Sequence, residues 1–171
     1  MISDRLLAEI NQQIKYEMFS ANLYLAMAAY CAAEDLPGFA HFFKVQAEEE
    51  KFHAMKFFDY LNNMGGRVLM YGLDEPNNEY RSVLDAFEQA YKHEQFVTGR
   101  IYGLMDIAVE EKEHATISFL KWFIDEQVEE ESTFSGLVKR LKRIGDDSNG
   151  LYLLDVELAA RVFTPPADEQ K

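Results

Sequence analysis

Cysteine is almost missing from this chain: Cys31 is the only one. A single thiol cannot close an intrachain disulfide, and it cannot build a thiolate metal cluster. Helix breakers are also scarce, with four prolines and nine glycines in 171 residues. That favours long helices over a turn-rich β fold. Basic residues number 17 against 30 acidic ones, a formal net charge of −13. Without a basic surplus the chain is a poor partner for nucleic acid or an anionic membrane, whereas an acidic surface concentrates cations. No run approaches the roughly 18 apolar residues that a membrane helix needs. The opening MISDRLLAEI has no basic stretch followed by a long apolar core, so no secretory leader is expected. A soluble cytoplasmic protein is the simplest expectation.

The length suits one domain with a substantial core. Ser3 or Asp4 is a good helix start, and Leu6, Ile10, Ile14, Phe19, Leu23, Ala26 and Tyr30 follow at steps of three to five, the helical period on average. The reading is all-α, one domain over 1–171, with long helices over about 4–34, 37–64, 82–109 and 113–144 and a short one over about 149–163. Pro37 suits a helical first turn. Gly65-Gly66 and Gly145 mark breaks. The connection over 65–81 is long against a usual ~4–6 residues. Extended, it could span about 50 Å, more than the roughly 40 Å of a neighbouring helix. It can therefore cross the bundle and make the second and third helices parallel. The expectation is a four-helix bundle with one long crossover. In the short last helix Leu151, Leu154, Leu158 and Val162 recur at helical spacing, with Pro165-Pro166 closing it. Those positions have little room in a four-helix core, so contact with other copies of the chain is expected.

The stretch EEEKFH, Glu48 to His53, raises the chemical question. Glu50 and His53 are three apart, hence on one side of a helix. Glu17 lies 18 residues before Asp35, and His53 lies 18 after it. In a hairpin turning at Asp35 the two stand at similar height. Around a second turn near Glu111, Glu94 lies 17 residues before, and Gln127 and Glu130 lie 16 and 19 after. Phe19, Phe52, Phe57, Phe96 and Phe123 are taken as marking the core at this level. Isolated charges there would be costly, so buried carboxylates need partners or a metal. Four carboxylates and an imidazole suit a pair of divalent cations, iron first, with zinc or manganese as competitors. A helical bundle can hold a di-iron site on a Glu from each of two helices and a Glu-x-x-His from each of the other two. Here the fourth helix offers Gln127-Val-Glu-Glu130 instead. Glu111 and His114 form another Glu-x-x-His, but at the second turn, about 25 Å from the Gln127 level. They are read as helix-end charges. His41 and His93 are read as surface or interface residues, the methionines as core filler and Cys31 as buried packing.

The chain resembles the bacterial non-haem ferritins over nearly its whole length. The resemblance rests on MISDRLLAEINQQIKYEMFSANLYLAMAAY, GFAHFFKVQAEEEKFHA, HEQFVTGRIY, FLKWFIDEQVEEE and GLYLLDVELAAR, in that order. It implies a ferroxidase that oxidises Fe(II) with O2 or H2O2 and stores a ferric oxide mineral. It implies two irons per subunit on Glu17, Glu50, His53, Glu94 and Glu130, with Gln127 alongside and Glu50 bridging. It implies a third iron site on Glu49, Glu126 and Glu129, and a Tyr24 that hydrogen-bonds a ligand and supplies an electron. Trp122 matches an aromatic residue beside the centre. A hollow shell of twenty-four copies is also implied. Bacterioferritins carry a methionine after the bridging Glu as haem ligand. Here Lys51 holds that position and Met55 is a full turn away, so no haem is expected. Rival readings are a rubrerythrin-like peroxidase, disfavoured by the single cysteine, and a metal buffer or purely structural bundle.

Overall fold

Hydrogen-bonded side-chain caps open three of the helices, at Ser3, Ser82 and Asp147. The computed structural model describes residues 2–166, and these form five helices: α1 (Asp4–Ala33), α2 (Pro37–Asn63), α3 (Val83–Glu110), α4 (His114–Ile144) and α5 (Ser148–Leu158). The architecture is all-α. Ser3 and Ser82 each accept a backbone N–H three residues on, at 3.1 Å, so two otherwise unpaired donors are satisfied. Pro37 opens α2, where a missing N–H costs nothing.

The two tight turns share one closure. Leu36 N–H donates to Cys31 O and Asp35 N–H to Ala32 O; Glu113 N–H donates to Ala108 O and Lys112 N–H to Val109 O. This paired pattern ends a helix through one left-handed residue. Asp35 (φ 55°) and Lys112 (φ 56°) occupy that conformation without being glycine, at roughly 1–2 kcal/mol each.

Ser3 at the start of α1 donates to Glu111 at the end of α3, so those two helices are antiparallel. Phe39 and Phe87, near the starts of α2 and α3, meet edge to face at 5.7 Å, so α2 and α3 run parallel. The segment between them therefore crosses the bundle. Asn11 ties it down: its amide donates to Arg67 O at 3.1 Å, and its oxygen accepts from Leu69 N–H at 2.6 Å.

The apolar core comes in two parts. One contains Tyr24, Phe43, Phe87 and Phe134. The other contains Ile10, Phe57, Leu104 and Phe123. Between them, along all four long helices, lies a buried polar layer: Glu17, Glu50, His53, Glu94, Gln127 and Glu130.

Some sequence expectations need correction. α5 stops at Leu158 rather than near 163, and Val162 is 80% exposed. The chain leaves the helix through turns at Ala160 and Arg161. Leu154 and Leu158 are buried on this same chain's bundle, while Tyr152, Leu153 and Val156 stay exposed. Phe96 is not core; it is 47% exposed. Two residues past Glu94 on a helix, it is turned about 200° away from the inward face. Phe19 and Phe52 are only partly buried. Met27 fills core, but Met55 and Met70 are exposed. Cys31 is buried as expected.

Candidate metal centre

Each long helix contributes to the polar layer from its inward stripe, and possible ligand atoms from α1, α2 and α4 gather in two groups that do not include Glu94 of α3. One atom each from Glu17, Glu50 and His53 lies within 4.8 Å of the others, and the same holds for His53, Glu126 and Glu130. His53 joins the two groups. Its Nδ1 is 3.5 Å from Glu50 Oε2, and its Nε2 is 3.9 Å from Glu126 Oε1. On the other side Tyr24 donates its hydroxyl to Glu94, and Gln127 Nε2 stands 3.2 Å from Glu94 Oε2 and 3.2 Å from the Thr98 hydroxyl.

Burial dominates the electrostatics. The Glu17 carboxyl is pushed up to about 8 by burial and then by Glu50. Glu50 is pushed up to about 8 by burial and then by Glu130. Glu94 and Glu130 are also raised, by burial first and then by the Glu50 charge for Glu94 and the Glu94 charge for Glu130. Without a cation, burial favours the protonated form of these four carboxyls. A divalent ion would displace the protons.

The donor set fits a cation. Glu17 Oε2 and His53 Nε2 are buried with no hydrogen-bond partner, although buried polar atoms are normally paired. Hard carboxylate oxygens and one imidazole suit iron, manganese or zinc.

Two residues that sequence reasoning missed hold the carboxylates. Gln13 Nε2 donates to Glu17 at 2.8 Å, and Gln46 Nε2 donates to Glu50 at 3.1 Å and Glu130 at 2.9 Å. Both precede a ligand-type Glu by four residues. That doubled Gln-x-x-x-Glu is the signal that could have found them.

The outer carboxylates are less gathered. Burial raises Glu126; His53 opposes that shift, while Glu129 and Glu49 add to it. Glu129 is exposed, and Glu49 is paired with Arg161 at 2.6 Å. Trp122 lies edge-on to His53 at 5.5 Å, with Lys56 Nζ 4.6 Å from its ring. His93 is not a plain surface residue: its Nε2 is 2.7 Å from the Ser20 hydroxyl, and burial lowers it to about 4. Glu111 accepts from Ser3 and His114 is exposed at the start of α4, so this Glu-x-x-His stays outside the layer.

The ferritin-like domain family matches residues 7–144. The chain belongs to the ferritin family. This ferritin is 49% identical to the bacterial non-heme ferritin of Staphylococcus epidermidis over 95% of its own length and 98% of the relative's. It is 48% identical to that of Staphylococcus aureus over the same shares. An engineered closed form of the Archaeoglobus fulgidus ferritin superposes with TM-score 0.95 at 46% identity, covering 96% of this chain and all of that one. An open-pore ferritin from the same archaeon gives TM-score 0.93 at 45% identity, covering 94% and 99%. Among the described residues, no helix is long and apolar enough to cross a membrane.

Proposed function

We propose that this protein stores iron and oxidises Fe(II) at a centre within each subunit. The observation that carries the proposal is the polar layer that interrupts the core, in which Glu17, Glu50 and His53 offer ligating atoms within 4.8 Å of one another. Family membership supports the same reading.

In this mechanism Fe(II) is the substrate. Glu17 and His53 hold one ion, Glu94 and Glu130 the other, and Glu50 bridges, with Gln127 beside the second ion. Ion entry displaces the carboxyl protons. Anionic oxygen ligands favour the harder Fe(III), so the layer lowers the cost of losing an electron. The pair gives two electrons to O2, which with two protons becomes H2O2, or to H2O2, which with two protons becomes two waters. Fe(III) then leaves for a ferric oxide mineral inside a shell of this chain, with twenty-four copies as the expected number. Glu49, Glu126 and Glu129 are the candidates for a third ion. Lys51, directly after Glu50, favours a centre without haem. A cytoplasmic location fits the composition.

Aerobic addition of Fe(II) tests this. Rapid oxidation with several hundred irons or more retained per assembly is the expected result; turnover without retention would point to an oxidase instead. Replacing Glu50 and His53 together by alanine should abolish rapid oxidation while assembly persists. An unchanged rate would overturn the ligand assignment.

A further inference from the structure

After α5 the chain turns back over the outer face of α2. Arg161 lies on this return, and its side chain is fixed from several directions. Nη2 donates to Glu49 Oε2 at 2.6 Å, and Nη1 reaches Phe42 O at 3.4 Å. The guanidinium stacks over the Phe42 ring at 4.2 Å. His41 Nε2 lies 2.7 Å from the Arg161 carbonyl oxygen. Two residues on, Phe163 meets Phe52 at 5.6 Å. The ion pair is largely shielded, with side-chain exposures of 21% and 15%.

We propose that Arg161 is an internal competitor for the third cation, occupying the Glu49 carboxylate until an incoming ion displaces it. The proposal rests on the third-ion reading of Glu49, Glu126 and Glu129 given above.

Two effects of Arg161 act in the same direction. A carboxylate in a short, shielded, charge-assisted hydrogen bond must give up that bond before it ligates a metal. A fixed positive charge against Glu49 also repels a cation approaching that carboxylate. Glu126 and Glu129 have no such partner among the ion pairs of the described residues, apart from the 3.9 Å approach of Glu126 to His53. The brake therefore acts through Glu49. Its consequence is an order of filling: the inner pair loads first, and the third ion binds only when its gain exceeds the loss of the Arg161–Glu49 contact. Arg161 touches no reacting atom in this scheme and is a positioning residue.

The test is Zn(II) titration of the metal-free assembled protein by calorimetry, which involves no turnover. Arg161→Gln should bind the third Zn(II) per subunit about ten-fold more tightly than the parent, as expected for loss of one hydrogen bond between charged groups. Arg161→Lys, which keeps the charge, should stay close to the parent. Glu49→Gln should lose the third ion. Equal third-ion affinity in the parent and Arg161→Gln would overturn the competitor role and leave Arg161 as a tether for the chain end. Two ions per subunit in the parent and both Arg161 variants would overturn it differently, by removing the third-ion reading on which it stands.

Discussion

Gln46 joins Glu130 across two helices: its amide stands 2.9 and 3.0 Å from the two carboxylate oxygens. The same amide donates to Glu50 at 3.1 Å. It thus sets the direction of Glu50 and Glu130, the bridge and a second-ion ligand of the proposed centre, while Glu17 has its own amide in Gln13. Groups that orient metal ligands typically account for 10–100-fold in affinity. Gln46→Leu should therefore weaken the Glu94–Glu130 side by about ten-fold or more, and the Glu17–His53 side by much less. Co(II) titration followed by its visible absorption separates the two sides. Equal losses at both would mean that Gln46 serves the fold rather than one ion.

The proton content of the polar layer gives opposite pH trends for the empty and filled protein. Glu17 and Glu50 both rise from 4.5 to about 8, through burial first and neighbouring carboxylates next. Between those values the folded chain binds more protons than the unfolded one, so metal-free stability falls as pH rises through the window. A bound divalent ion displaces the protons, so its affinity climbs with pH and levels off above about 8. Calorimetric melting should show a Tm that drops from about pH 5 to about pH 8 without metal and does not drop with Zn(II). A metal-free Tm that rises over this range would show that the carboxyls ionise normally.

Much of this layer was legible in the sequence because helices count. Equal distances from Asp35 put Glu17 and His53 at one height, and a turn near Glu111 did the same for Glu94 and Gln127. The structure brings these residues together in the buried layer. What the sequence hid has physical reasons. Phe96 looked like core because an aromatic residue in a helix does not reveal its face, and only its angle from Glu94 places it outside. α5 kept an apolar rhythm through Val162, but its cap falls at Ala159, a residue without a breaker's signature. The Arg161–Glu49 contact joins residues 112 apart, and no local spacing announces it. Gln13 and Gln46 carry no charge, so neither stands out beside the carboxylates as part of a site.

Docking of α5 depends on a residue with no side chain. A Cβ on Gly38 would stand 1.7 Å from the Asp155 carbonyl oxygen and 2.5 Å from its carbon. The close approach lets Asp155 Oδ1 accept Phe39 N–H at 2.9 Å, placing a carboxylate at the start of α2, where the helix dipole favours it. Gly38→Ala should force α5 away at a cost of about 1–3 kcal/mol, seen as a lower Tm and faster hydrogen exchange within Ser148–Leu158. Gly99→Ala is the control, since nothing lies within 4 Å of its added Cβ. If Gly38→Ala exchanged and melted like the control, the contact would not hold α5.

Tyr24 separates packing from electron supply. Its ring packs near-parallel beside both Phe43 and Phe134, at 6.0 and 5.6 Å with interplanar angles of 15° and 11°, and phenylalanine can keep that packing. Only the hydroxyl, which donates to Glu94, is lost in Tyr24→Phe. Burial and the Glu94 charge hold the phenol well above its ordinary pKa, so it stays protonated. If it gives an electron to the oxidant, its proton has an acceptor already in contact, the Glu94 carboxylate. Tyr24→Phe should keep a Tm within a few degrees of the parent and still bind two Co(II). It should slow Fe(II) oxidation by about ten-fold, on the order of one removed hydrogen bond to a charged group. Any tyrosyl radical that freeze-quench electron paramagnetic resonance detects in the parent should vanish. Oxidation at the parental rate would assign the hydroxyl to satisfying Glu94 alone.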